Sequence, residues 1–237
     1  MKTTLITGAN RGIGLEFARQ YAADGWRVLA CCRHPRKSAA LKNLAAQYPQ
    51  QIQIYALEVT DHAQIERLPQ LLAEASTENN AIDLLINNAG ILPNADHNSF
   101  GHTDYAAWMH TFNINTLAPL KMAEVFAQHI ARSQQKMIVT ISSKMGSIAD
   151  NSSGGYYLYR TSKAAVNMVV KSLAIDLQPQ GITAVVLHPG WVKTDLGGAN
   201  ALITAEQSVS GMRKVINRLS TADSGKFFTY DGKDIPW

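Results

Sequence analysis

The chain has 237 residues, enough to bury a large core without disulfide or metal staples. Hydrophobic residues make up 46% and charged residues only 17%, which excludes a disordered chain and a coiled coil. The net charge of +4 comes from scattered Lys and Arg with no basic block, so a nucleic-acid partner is not expected.

In chain order, the first β-rich run, 3–7, follows directly on Met1 and Lys2, so a secretory leader is not expected. Later runs fall at about 27–32, 52–57, 82–86, 136–141, 182–187 and, more weakly, 227–230. Helical periodicity fills 13–24, 38–47, 61–76, 104–132 and 156–178. No apolar run approaches the roughly 18 to 20 residues of a membrane span. This alternation predicts a doubly wound parallel sheet of about seven strands, with helices on both faces, in one α/β domain over 1–237. Cys31 and Cys32 are neighbours in the second run and point to opposite faces, so free thiols in a cytoplasmic protein are expected. No Cys/His cluster has metal-ligand spacing, and no metal is expected.

The first strand runs into Thr7-Gly8-Ala9-Asn10-Arg11-Gly12-Ile13-Gly14, with a helix directly after it. Gly8 permits a tight turn, while Gly12 and Gly14 let backbone amides approach an anion with no Cβ in the way. The spacing differs from Gly-x-Gly-x-x-Gly, but a strand–loop–helix context is what a dinucleotide pyrophosphate needs.

Thr7-Gly8-x3-Gly12-x-Gly14 resembles the cofactor loop of the short-chain dehydrogenase/reductase family. The likeness continues in Asn87-Asn88-Ala89-Gly90, in Tyr159-x3-Lys163 and in Pro189-Gly190, in family order along essentially the whole chain. The stretch from His188 to Asp195 and the ending from Tyr230 to Trp237 resemble the C-factor/sniffer-like carbonyl reductase branch. The resemblance implies a Rossmann-type fold, a nicotinamide dinucleotide, and a small carbonyl or alcohol substrate. It places Gly8, Asn10, Arg11, Gly12, Ile13 and Gly14 at the cofactor, joined by Glu58 and Val59 near adenine. Asn88 and Gly90 would line a ribose, and Val192 and Thr194 the carboxamide. A structural role for the Asn88 turn, bracing the central strands, is compatible with this.

The end of the second strand faces the adenosine ribose, where an acid selects a 2′-hydroxyl and an arginine a 2′-phosphate. Here the strand ends in Cys32-Arg33-His34-Pro35-Arg36, with no acid. Arg33 forks onto a phosphate and Arg11 is a second cation in reach, so NADP(H) is expected before NAD(H).

Tyr159 and Lys163 lie one turn apart on one helical face. The ammonium is expected to lower the phenol below its usual value of about 10. Tyr159 then serves as acid for a carbonyl oxygen, and as base in the reverse direction. The family pattern of a serine three residues before a glycine selects Ser143 to hold the substrate oxygen, with Ser142 facing away; Ser152 and Ser153 are decoys. Asn115 resembles the asparagine that kinks its helix and completes a proton relay through Lys163, with Asn113 as the competing choice. His188, at a strand end before proline, reads as structural.

Substrate-lining stretches are expected at 91–103, 150–155 and 195–219, the second lengthening the interval between Ser143 and Tyr159. They name no ligand. A rival reading is a dinucleotide-binding regulatory or signalling protein with little turnover. An extended epimerase would need a larger C-terminal region. The resemblance also implies a homodimer, with a tetramer as the larger alternative, through helices 104–132 and 156–178; Val166, Val169, Val170 and Leu173 are the expected contact face.

Overall fold

The computed structural model describes residues 1–75, 80–93 and 98–237. Strand β1 (Thr3–Thr7), helix α1 (Gly12–Ala23), strand β2 (Arg27–Cys32), helix α2 (Ala39–Gln47) and strand β3 (Ile52–Ala56) come first. Helix α3 (His62–Glu74) and strand β4 (Leu84–Asn87) follow, then a hairpin of β5 (Asn98–Ser99) and β6 (His102–Thr103). Next are α4 (Tyr105–Phe112), α5 (Ala118–Ala131), β7 (Met137–Ile141) and α6 (Tyr157–Asp176). Strand β8 (Thr183–His188), helix α7 (Ala205–Arg218) and strand β9 (Phe227–Thr229) complete the order.

Seven strands pair in parallel in the order β3-β2-β1-β4-β7-β8-β9. Strands β1, β2, β4 and β7 are buried along their whole length because helices cover both faces. Successive side chains serve opposite cores. Leu5, Leu29 and Leu85 pack with Leu68, Phe126 and Val170 of α3, α5 and α6. Ile6, Val28 and Ile86 pack with Phe17, Leu41 and Met212 of α1, α2 and α7. Cys31 and Cys32 fall into different cores and are unbridged. Among the described residues, no helix is long and apolar enough to cross a membrane.

Two expectations need correction and a third is sharpened: the helix expected over 104–132, with a kink at Asn115, carries a π turn at Asn113–Leu117. Pro119 has no N–H to give the Asn115 carbonyl, so the α-helical bond there cannot form and the turn widens. The stretch 195–219 is largely helix: α7 begins in a capping box between Thr204 and Gln207 and buries Val209, Met212, Val215 and Ile216. Finally, Val166, Val170 and Leu173 are buried within the fold and Val169 half-buried, so they present no open face to a partner. The outward apolar side chains of α6 include Met168 and Ile175, with Tyr157 at its start. Residues 76–79 and 94–97, which include the end of the predicted 61–76 helix and part of 91–103, lie outside the described residues.

Candidate active site

A cleft of about 620 Å³ opens where the parallel strands end, between the residues that follow β1, β2, β4, β7 and β8. Gly8, Asn10, Arg11, Gly12, Ile13, Gly14, Arg33, Glu58, Val59, Asn88, Gly90, Tyr159, Lys163 and Thr194 line it. Ser142 is also among its lining residues, whereas Ser143, Asn115 and Val192 are buried and are not.

The glycine loop is shaped by close backbone approach. Gly12 sits at φ +54, and a Cβ there would press on Thr194. A Cβ on Gly14 would strike the Gly8 carbonyl oxygen and come within 2.5 Å of Asn88 Nδ2. Asn88 pins the loop: its Nδ2 donates to the carbonyl oxygens of Thr7 (2.9 Å) and Gly8 (3.2 Å). Thr7 Oγ1 returns the brace, accepting from the amides of Asn88 and Ala89, both at 3.1 Å. Helix α1 has no side-chain cap and no acid in its first turn, so no side chain of that turn competes for its leading N–H groups. These features fit a dinucleotide pyrophosphate.

Beyond the end of β2, Arg33 and Lys37 line the same cleft. The acid missing after β2 arrives from elsewhere in the chain: Glu58 approaches Arg33 Nε to 3.6 Å. Arg11 is ion-paired with Asp195 across the cleft. The Arg11–Asp195 pair and Arg33 are largely exposed and Glu58 partly so, and such surface pairs are worth little to stability.

Tyr159 and Lys163 lie buried on α6, facing the cleft. Lys163 Nζ donates to the Ile141 carbonyl oxygen (3.0 Å) and stands 5.7 Å from the centre of the Tyr159 ring. Burial pushes the Tyr159 phenol up to about 12, with the Ser143 hydroxyl pulling the other way. Burial also brings the Lys163 ammonium down to about 8. This corrects the expected lowering of the phenol: loss of water around both groups outweighs their adjacency on the helix. Tyr159 is therefore a neutral O–H donor near pH 7.

Ser143 Oγ accepts from the Met145 amide (3.1 Å), which leaves the hydroxyl proton free to point elsewhere. The loop it starts lies tight against α6, since a Cβ on Gly146 would fall 2.7 Å from the Lys163 carbonyl carbon. That contact is the physical reason for a glycine three residues after the serine. Ser142 is buried and donates to the Lys163 carbonyl oxygen at 3.4 Å. Asn115 is held between segments: Oδ1 accepts from the Ile91 amide (2.9 Å), and Nδ2 donates to the Ile91 carbonyl (2.9 Å) and Ser162 Oγ (3.0 Å). Asn113 opens the same π turn. Val192 is buried and bridges to Ile203, placing its neighbour Thr194 over Gly12. His188 is driven down to about 4 by burial and then by the Lys144 cation, and its Nδ1 has no partner.

Several positions escaped the sequence reading. Thr7 was visible only as the residue before the glycine loop. Asn98 Oδ1 accepts from the Leu158 amide (2.7 Å) and fixes the start of α6 from the β5–β6 hairpin. Arg160, considered below, carries no local signal.

The family described as short chain dehydrogenase matches residues 2–202. The chain is 44% identical over 156 residues to the protein C-signal of Myxococcus xanthus, spanning 66% of this chain and 93% of that protein. It superposes on the crystal structure of NADPH-bound carbonyl reductase from chicken fatty liver with a TM-score of 0.92. Identity there is 37%, and the match covers 100% of this chain and 99% of that one. Carbonyl reductase Sniffer of D. melanogaster gives the same TM-score, 0.92, at 31% identity across 100% of both chains.

Proposed function

The chain belongs to the short-chain dehydrogenase/reductase family of NAD(P)-dependent oxidoreductases, and on that premise we propose an NADPH-dependent carbonyl reductase, in reverse an alcohol dehydrogenase. One observation carries this reading: a neutral Tyr159 and a buried Lys163 share the cleft wall, and Ser143 acts on the same phenol.

The nicotinamide, when bound, supplies the hydride for reduction or accepts it in the reverse direction. The glycine loop and the start of α1 would hold the pyrophosphate, and Asn88 and Gly90 would border the ribose. Val192 and Thr194 would meet the carboxamide. Glu58 and Val59 would flank adenine, and Arg33, with Lys37 in the same lining, would favour a 2′-phosphate. Ser143 donates its free proton to the substrate oxygen and fixes its position. Tyr159 gives its phenolic proton to that oxygen as negative charge develops there. Lys163 stabilises the phenolate left behind and holds the ribose. Asn115, whose carbonyl is released from α-helical bonding by Pro119, anchors the path by which the proton is restored.

An NADPH-oxidation screen over quinones, aldehydes, diketones and keto esters tests the reading, with Tyr159→Phe as control. Turnover of at least one class, lost in the control, is the expected result. A second reading, a cofactor-binding signalling protein, draws on the likeness to C-signal. Cofactor binding with no turnover across the screen would favour it.

Assembly as a homodimer, with a tetramer as the larger alternative, is part of the same proposal. Its support is the exposed set Tyr105, Met109 and Leu117 on the α4–α5 side, with Met168 and Ile175 on α6. Light scattering at micromolar concentration should return twice the chain mass; a monomer's mass would show that this face is not used.

A further inference from the structure

Between Ser143 and the start of α6 the chain makes a polar excursion that ends in three consecutive left-handed residues, Gly154 (φ 63), Gly155 (φ 63) and Tyr156 (φ 51). Tyr156 has a Cβ, and such a residue keeps this conformation only when its surroundings hold it. Two side chains hold the residues just before it: Asn151 Oδ1 accepts from the Gly154 amide (3.1 Å), and Arg160 makes the wider set of contacts. Arg160 stands one position after Tyr159 on α6, and its Nε donates to the Gly154 carbonyl oxygen (3.2 Å). One terminal nitrogen donates to Ser153 Oγ (2.8 Å), and the other reaches the Met145 carbonyl oxygen (3.4 Å).

The last contact connects Arg160 to the chemistry. Met145 is the residue whose amide donates to Ser143 Oγ (3.1 Å), which tethers that oxygen and leaves its proton for another partner. The planar fork of a guanidinium is suited to such a task, because its several N–H groups are fixed relative to one another and reach separate acceptors at once. An ion pair between Lys144 and Asp150 (3.0 Å) closes the same loop from its outer side.

We propose that Arg160 is a positioning residue, which clamps the Ser143 loop and the 150–155 excursion to the tyrosine helix and so keeps the Ser143 hydroxyl in register with Tyr159. The proposal rests on the carbonyl reductase reading above. Arg160 touches neither cofactor cleft nor reacting atoms; it acts through Met145.

A double-mutant cycle on the full chain separates the two. Arg160→Ala should lower kcat about tenfold and leave the NADPH dissociation constant within about twofold, because small displacements of a positioned donor are costly to rate but not to cofactor contacts. In a Ser143→Ala background the same substitution should cost less than about twofold, since the group it positions is gone. Arg160→Lys should recover only part of the loss, because an ammonium is a point donor without the fork. Should Arg160→Ala melt below the assay temperature, Arg160→Gln, which keeps an amide donor, replaces it in the cycle. An unchanged kcat in the single variant, or a full loss repeated in the Ser143→Ala background, would overturn the proposal while leaving the reductase reading intact. A Ser143→Ala protein with normal kcat would instead break the catalytic reading itself, and the role of Arg160 with it.

Discussion

The two halves of the cleft are built by different means. On the cofactor side, shape comes from backbone: Gly12 and Gly14 admit close approach, the first turn of α1 presents bare amides, and Asn88 and Thr7 tie two strand ends together. On the substrate side, shape comes from side chains reaching across loops: Arg160 to three acceptors, Ser147 Oγ to the Pro236 carbonyl (2.6 Å), and Asn151 Oδ1 accepting from the Gly154 amide (3.1 Å). The lesson is that the first half follows from the parallel sheet, whose strand ends are fixed by their registers. The second depends on individual contacts that a few substitutions can rearrange, which is how one scaffold accepts different substrates.

Substitutions on one side should therefore leave the other side's readout untouched. The largest effect is expected from Tyr159→Phe, which removes the proton donor while keeping the ring. It should cut kcat by about 10² or more with NADPH affinity nearly unchanged. A variant reducing a carbonyl at close to the original rate would remove Tyr159 from the chemistry and blur the division.

Arg33→Asp is the reciprocal change. It should weaken NADPH more than about tenfold and spare NADH, because the new carboxylate repels a 2′-phosphate and accepts from a 2′-hydroxyl. Equal losses for both cofactors in a titration would mean that Arg33 does not read the 2′ position.

A third test is pH. Lys163, held down to about 8 by burial, is charged below that value, while Tyr159, pushed up to about 12, stays protonated. Reduction should be level below pH 8 and fall above it, by up to about tenfold per pH unit. A pH–rate profile that stays flat to pH 10 would remove the Lys163 charge from the rate-determining step. The same shift has the opposite sign for stability: the unfolded chain keeps this proton to about 10.5, so the cost of burying Lys163 shrinks as pH rises from 8 toward that value.

The smallest effect concerns His188, which should not touch turnover. Its folded-state value of about 4 lies below the ordinary 6.5, so its contribution is complete above pH 6.5 and lost as pH falls toward 4. His188→Gln should flatten that part of the stability curve, changing the acid-induced fall in Tm by a few degrees for a protein of this size. Thermal melts at pH 7 and pH 4.5 give the comparison. An identical acid slope in both proteins would assign the loss to other groups.

The alternation of strands and helices, the glycine loop and the Tyr159–Lys163 pairing were legible because each is a short-range pattern, set by side-chain periodicity or helical pitch. Helix α7 was equally legible: Thr204 and Gln207 stand at capping-box spacing, and Val209, Met212 and Ile216 recur at helical intervals, although the stretch was expected only to line the substrate. The tertiary structure alone decided the rest. It buried Val166 and Val170 where a partner face was expected, and it brought Glu58 to Arg33 and Asp195 to Arg11. It also reversed the expected shift of the Tyr159 phenol and gave Arg160 its acceptors. Desolvation and long-range pairing depend on which distant segments pack around a group, and local spacing carries no measure of that.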